Sequence, residues 1–223
     1  MPTALVTGAS AGLGRALAAA LVSRDWTVVG DGRDAAALES AAREAGFTAV
    51  PGDVADPAHR AALAAACPGL DLLVNNAGSL GASPLPPLAR YPLAELENVY
   101  RVNVFAPLAL AQLLLPALTA ARGVVIDVSS DAAVEAYEGW GGYGSSKAAL
   151  DQLTAVLGAE NPDLAVYAVD PGDLRTATHQ RAFPGEDISD RPLPETVVPA
   201  FLRLLDERPP SGRYRAADLL VTA

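Results

Sequence analysis

Short uninterrupted apolar runs alternate along this chain with longer stretches whose apolar positions return every three or four residues. The first run, Ala4-Leu5-Val6, predicts a strand, and Leu13 to Val22 has helical spacing. Trp26 to Val29 is the next strand, followed by an alanine-rich helix from Asp34 to Glu44 and a strand from Phe47 to Val50. Asp56-Pro57 opens a helix, with Asp as cap and Pro at the first helical position. Leu70 to Val74 is a fourth strand. A long helix from about Leu93 to Ala121 follows, which Pro107 and Pro116 should bend. Val124 to Val128, a helix from Gly142 to Gly158, and Leu164 to Val169 come next. From Pro194 a further helix is expected, then a last strand near Tyr214 to Val221. Strands that are apolar throughout are buried on both faces. Alternating β and α elements joined by right-handed crossovers give a doubly wound parallel sheet with helices on both faces.

The chain has 223 residues and no linker-like stretch, so one α/β domain over 1–223 is expected, of the Rossmann type. Apolar residues make up 51%, ample for a core. The formal net charge of −10 disfavours nucleic acid and anionic membranes as partners. The single cysteine, Cys67, permits no intrachain disulfide and reads as a small apolar residue at a helix end. With two histidines and that one cysteine, no metal site is expected. No secretory signal precedes the first strand, and the longest apolar run, Val104 to Leu118, falls short of the roughly 20 residues of a membrane span. Pro107, Gln112 and Pro116 also interrupt that run. A cytoplasmic, soluble protein is the expectation.

The first strand runs into Thr7-Gly8-Ala9-Ser10-Ala11-Gly12-Leu13-Gly14, and a helix begins inside this loop. Glycines there permit a tight turn and let backbone N–H groups approach a pyrophosphate, which the helix N-terminus also attracts. No Lys-Ser/Thr follows the last glycine, so a P-loop is excluded. The spacing Thr-Gly-x-x-x-Gly-x-Gly resembles the nucleotide loop of the short-chain dehydrogenase/reductase family, and further motifs agree in order. Asn75-Asn76-Ala77-Gly78 resembles the family's Asn-Asn-Ala-Gly motif, and Tyr143-Gly144-Ser145-Ser146-Lys147 its Tyr-x-x-x-Lys motif. Ser130 stands at the family's serine spacing before Tyr143, Asn103 lies in the long helix where the family has an asparagine, and Pro171-Gly172 with Thr176 resembles the segment that packs on the nicotinamide. The resemblance implies a catalytic set of Asn103, Ser130, Tyr143 and Lys147. It implies a cofactor site of Gly8, Ser10, Gly12, Leu13, Gly14, Arg33, Asp53, Val54, Asn76, Ala77, Gly78, Tyr143, Lys147, Pro171, Gly172, Leu174 and Thr176.

Those residue types suit hydride chemistry. Hydride arriving at a carbonyl carbon leaves negative charge on oxygen, and a positioned acid must supply a proton there. A tyrosine with its ordinary pKa of about 10 is a poor acid near neutrality, and a nearby ammonium is expected to lower it. Tyr143 and Lys147 sit one helical turn apart, on one face. Ser130 is expected to hold the substrate oxygen, with Ser129 the competing choice. Asn103 either joins a proton relay through Lys147 or satisfies backbone at a helix irregularity. For the cofactor, Asp31 speaks for NAD and Arg33 for NADP. In the family's register Gly32 fills the place of the NAD-selecting acid, so NADP is favoured and NAD stays possible. Ala11 departs from the basic residue that many NADP-using relatives carry.

His59, after Pro57, reads as a solvated residue of a surface helix. His179 falls in the variable segment after Pro171-Gly172, and Tyr137 and Trp140 flank the active-site motif. Arg175, Arg181 and Arg191 belong to a salt-bridged surface or recognise an anionic substrate. Residues 173–193, rich in Pro, Gly and charge, are expected to form a lid that selects substrate. The short tail lacks an Asp-Gly-Gly-like ending, so a homodimer through the long helix and the Tyr143 helix competes with a homotetramer. The functional expectation is an NAD(P)-dependent oxidoreductase, NADPH favoured, acting on a small carbonyl or alcohol. A dinucleotide-binding sensor or scaffold is the other reading. A Rossmann-like methyltransferase leaves Tyr143 and Lys147 unexplained.

Overall fold

The computed structural model of the protein describes residues 1–221. Among them, seven parallel strands form one sheet in the order β3-β2-β1-β4-β5-β6-β7. The strands are β1 Thr3–Val6, β2 Thr27–Gly32, β3 Thr48–Pro51, β4 Leu72–Asn75, β5 Val124–Val128, β6 Ala165–Asp170 and β7 Gly212–Arg215. Side chains alternate across the pleat. Ala4, Val6, Leu72, Val74, Val124 and Ile126 face one core; Leu5, Leu73 and Val125 face the other. Helices α1 Gly12–Val22, α2 Ala35–Ala45 and α8 Val198–Glu207 cover the first core with Leu13, Leu17, Leu38, Phe201 and Leu204. Helices α3 Pro57–Ala66 and α5 Ala106–Ala121 cover the second with Leu63, Leu110, Leu114 and Leu118. This is the doubly wound α/β architecture that the apolar runs predict.

Local signals account for most element ends. Asp34 accepts the Ala37 N–H and Asp56 the Ala58 N–H, each capping its helix, and Pro57 occupies the first turn of α3. The long helix is α4 Leu93–Tyr100, a π-helical turn Arg101–Phe105, and α5. Its irregularity thus falls on the π turn, whereas the sequence points to the prolines. Pro107 sits in the first turn of α5, where a missing N–H costs little, and Pro116 lies inside α5. Leu93–Ala121 taken whole is long and apolar enough to cross a membrane, longer than the Val104–Leu118 run implies. Here Val99, Leu110, Leu114 and Leu118 are buried against the rest of the chain.

The tail differs from expectation. Its strand, β7, begins earlier, at Gly212, and the residues read as its continuation form helix α9, Ala216–Leu220. Ala-Ala-Asp-Leu-Leu has no β-branched residue, and alanine and leucine are strong helix formers. Helix α6, Gly141–Glu160, packs on β6 and β7. The 173–193 segment contains a short helix, α7 Ala177–Ala182, capped by Thr176.

Candidate active site

The carboxyl ends of β1, β2, β4, β5 and β6 open into a cavity of about 350 Å³. The strand order reverses between β1 and β4, where doubly wound sheets take their ligands. One wall is the glycine loop. Gly8 adopts φ +67°, a conformation that side chains disfavour. A Cβ on Gly14 would overlap the Gly8 carbonyl oxygen. The loop is braced from the next strand: Thr7 Oγ1 accepts the N–H groups of Asn76 and Ala77, both at 2.9 Å, and Asn76 Nδ2 donates to the Thr7 carbonyl at 2.8 Å.

A second brace comes from β2. Asp31 Oδ1 accepts the Gly8 N–H at 2.6 Å, and His59 Nε2 lies 3.1 Å from Asp31 Oδ2. Both side chains are buried, and burial pushes the Asp31 carboxyl above its ordinary pKa, against the lowering effect of Gly8 and His59. His59 is therefore a structural partner of the loop and not a solvated surface residue. Asp31 has both oxygens engaged within the protein. Arg33 is exposed at this end of the cavity and pairs with no carboxylate among the described residues, since Asp34 is occupied capping α2.

The far end holds Ser130, Tyr143 and Lys147, all lining the same cavity. The Lys147 ammonium lies 5.6 Å from the centre of the Tyr143 ring and donates to the Val128 carbonyl at 2.6 Å. Burial lowers Lys147 to about 8, opposed by Asp127 and Asp151. Tyr143 moves opposite to expectation. Burial pushes its phenol above the ordinary value; the Ser130 hydroxyl partly offsets this, and Asp131 and Asp170 add to it. Lys147 is not among the groups that shift this phenol; its ammonium donates instead to the Val128 carbonyl. Ser130 Oγ donates to Asp131 Oδ1 at 3.0 Å; Ser129 also borders the cavity but is the more buried of the two.

Asn103 sits in the π turn, fully buried, and does not line the cavity. Its Nδ2 donates to the Ser79 carbonyl and to Ser146 Oγ, each at 2.9 Å, and its Oδ1 accepts the Ser79 N–H at 2.7 Å. The side chain thus satisfies backbone at a helix irregularity, one of its two sequence readings. It joins the loop after Gly78 to the helix of Tyr143. Gly14 also stands behind the wall. The other residues of the implied cofactor site, Gly8, Ser10, Gly12, Leu13, Arg33, Asp53, Val54, Asn76, Ala77, Gly78, Pro171, Gly172, Leu174 and Thr176, line it together.

Several contributors had no local signal. Beneath Lys147, Asp127 accepts from Asn75 Nδ2 and Thr154 Oγ1, both at 2.7 Å. From β7, Arg213 Nε reaches Asp151 Oδ2 at 2.9 Å, and its Nη2 reaches the Ser130 carbonyl at 3.0 Å and Asp170 Oδ2 at 3.3 Å. Asp170 in turn accepts the Gly172 N–H at 3.0 Å. One guanidinium therefore joins the serine, the helix of Tyr143 and Lys147, and the Pro171-Gly172 segment. Those partners lie far apart in the chain, so no sequence window could show them together. His59 did leave a trace: it stands one turn before Leu63, on the buried face of α3. Trp140 and His179 line the cavity beside Tyr143, whereas Arg175, Arg181 and Arg191 do not. Arg191 pairs with Asp173 and Asp190, and Arg181 donates to the Gly81 carbonyl.

Residues 2–187 match the short chain dehydrogenase family. Serine 3-dehydrogenase of Agrobacterium fabrum is 37% identical over 183 residues, covering 78% of this chain and 72% of that one. Benzil reductase ((S)-benzoin forming) of Saccharomyces cerevisiae is 33% identical over 97% of this chain and 84% of its own. A crystal structure of a short chain dehydrogenase from Shigella flexneri complexed with NADP superposes with a TM-score of 0.88, at 30% identity and 97% coverage of both chains.

Proposed function

The chain belongs to the short-chain dehydrogenase/reductase family, and on that footing we propose that it is an NADPH-preferring carbonyl reductase, or alcohol dehydrogenase in reverse, with Tyr143 as acid/base. The observation that carries this reading is the convergence of Ser130, Tyr143 and Lys147 on the cavity bounded by the glycine loop. The residues fit a dinucleotide: the loop offers backbone N–H groups at the start of α1, where no side chain could stand at Gly14. Arg33 is free to meet a 2′-phosphate, while Asp31 is engaged by Gly8 and His59 and Gly32 has no carboxylate to offer a 2′-hydroxyl. The NADP in the Shigella flexneri structure agrees with that choice.

The bound dinucleotide supplies hydride to, or accepts it from, the carbon of the substrate. The chain manages the proton. In reduction, Tyr143 gives its phenolic proton to the carbonyl oxygen as hydride reaches the carbon, and it regains a proton from solvent afterwards. Ser130 holds the same oxygen and stabilises its developing charge. Lys147 places a positive charge beside the phenolate that forms and holds the nicotinamide ribose hydroxyls. Asn103 positions the Ser79 backbone and the Ser146 hydroxyl around them. The chain works as one domain, with residues 173–193 selecting substrate, and pairs with a second copy through the long helix.

The test is oxidation of NADPH and NADH against a panel of ketones and aldehydes. Turnover with NADPH in preference to NADH is expected. Tyr143→Phe should lower kcat at least ~100-fold, the usual scale for loss of a general acid, while NADPH still binds. Full activity in that variant removes Tyr143 from the mechanism. Tight NADPH binding with no oxidation for any carbonyl makes the chain a sensor.

A further inference from the structure

The catalytic reading leaves one buried polar atom at the site without a use. His179 lies in α7, its side chain 9% exposed, and its Nε2 has no hydrogen-bond partner. Buried polar atoms are nearly always paired, by protein, water or ligand. Backbone and ring are each positioned by a neighbour. Thr176 Oγ1 accepts the backbone N–H of His179 at 3.1 Å, and Asp173 Oδ1 stands 3.7 Å from ring Nδ1. With Nδ1 turned to the Asp173 carboxylate, Nε2 is the ring nitrogen left for a ligand, and an imidazole carrying its proton on Nδ1 offers it as an acceptor.

His179 also continues a wall that begins at the catalytic tyrosine. Ring centres are 5.8 Å apart from Tyr143 to Trp140, 5.9 Å from Trp140 to Phe183, and 4.9 Å from Phe183 to His179. Tyr143, Trp140 and His179 line the same cavity. The other charged side chains at that end are Lys147, assigned to the cofactor ribose, and the carboxylates Asp131 and Asp173. An anionic flank on the substrate would meet like charge there and no free guanidinium.

We propose that His179 Nε2 accepts a hydrogen bond from a hydroxyl or amine on the substrate, so that the enzyme prefers hydroxy- or amino-substituted carbonyl compounds over plain ketones and over keto acids. This rests on the catalytic reading above and adds the substrate class to it. A bound donor completes the pairing of a buried atom, while its apolar carbons lie along Trp140.

The experiment measures kcat/KM with NADPH for a matched set: a parent ketone, its hydroxy and amino analogues, and the corresponding keto acid. A donor-bearing analogue should exceed the parent by ~5–10-fold, the scale of one hydrogen bond, and the keto acid should fall below the parent. The faster of the hydroxy and amino arms identifies the donor. His179→Phe should bring the ratio of analogue to parent near one. His179→Gln, whose amide oxygen can accept near the Nε2 position, should keep most of it. NADPH binding by each variant reports that it has folded; if the Phe variant does not fold, the Gln variant and the wild-type ratios decide. Parity in the wild type, a preference for the keto acid, or a ratio untouched by His179→Phe overturns the subsite while leaving the reductase intact. NADPH binding with no carbonyl turned over at all overturns the catalytic reading, and the subsite with it.

Discussion

Tyr143 is held in its protonated form by burial, reinforced by the carboxylates of Asp131 and Asp170, and a protonated phenol is what carbonyl reduction consumes. Oxidation of an alcohol would need the phenolate, which this environment disfavours. Lys147 sets the other limit. Its ammonium persists below about 8 and is lost above, so both its hold on ribose and its support of a developing phenolate weaken as pH rises. For NADPH-dependent reduction, kcat/KM for the cofactor should therefore be flat through neutrality and fall on an alkaline limb near pH 8. A limb near 10 or higher would show that burial does not depress Lys147. At this scale the sequence is legible wherever a motif names the residue, as at Tyr143, Lys147 and Ser130. It is misleading where a residue's role depends on its neighbour. His59 looks solvated until α3 is turned to put it beneath Asp31, and Asp31 looks like a ribose ligand until Gly8 is seen to occupy it.

Among elements, α6 carries the tyrosine and lysine, but β7 holds them in register with the rest of the site. Arg213 spans Asp151 of α6, the Ser130 carbonyl after β5 and Asp170 at the end of β6. Arg213→Ala leaves two largely buried carboxylates unpaired. It should cost about 1–3 kcal/mol in unfolding free energy and lower kcat by roughly tenfold, read by denaturant melts and by steady-state assay. Arg213→Lys should recover little of either, since one ammonium cannot span three acceptors. Unchanged kcat in the alanine variant would show that the strut does not position the serine. The helices and inner strands were readable because capping residues and apolar runs are local signals, as at Asp34, Asp56-Pro57 and Ala4-Leu5-Val6. The π turn and β7 were not. The first is tied through Asn103 to Ser79 and Ser146, both distant in the chain, and the second is a half-exposed edge strand whose Gly-Arg-Tyr-Arg carries no apolar run.

For the whole molecule, the long helix presents three exposed large apolar side chains, Leu93, Phe105 and Leu113. Pairing through it should give light-scattering masses near twice the 22.8 kDa chain, and Phe105→Glu with Leu113→Glu should return the monomer. A monomeric wild type would sink that assembly. The doubly wound layout itself was evident from the alternation of elements, because right-handed crossovers leave few other ways to bury both faces of the strands. Its consequence for synthesis is temporal. The nucleotide loop, the tyrosine and the lysine all precede residues 212–215 in the chain, so Arg213, which braces them, is the last part of the site to be synthesised. A chain that stopped short of that strand would carry every motif residue and lack the guanidinium that ties the serine, the tyrosine's helix and the Pro171-Gly172 segment into one piece.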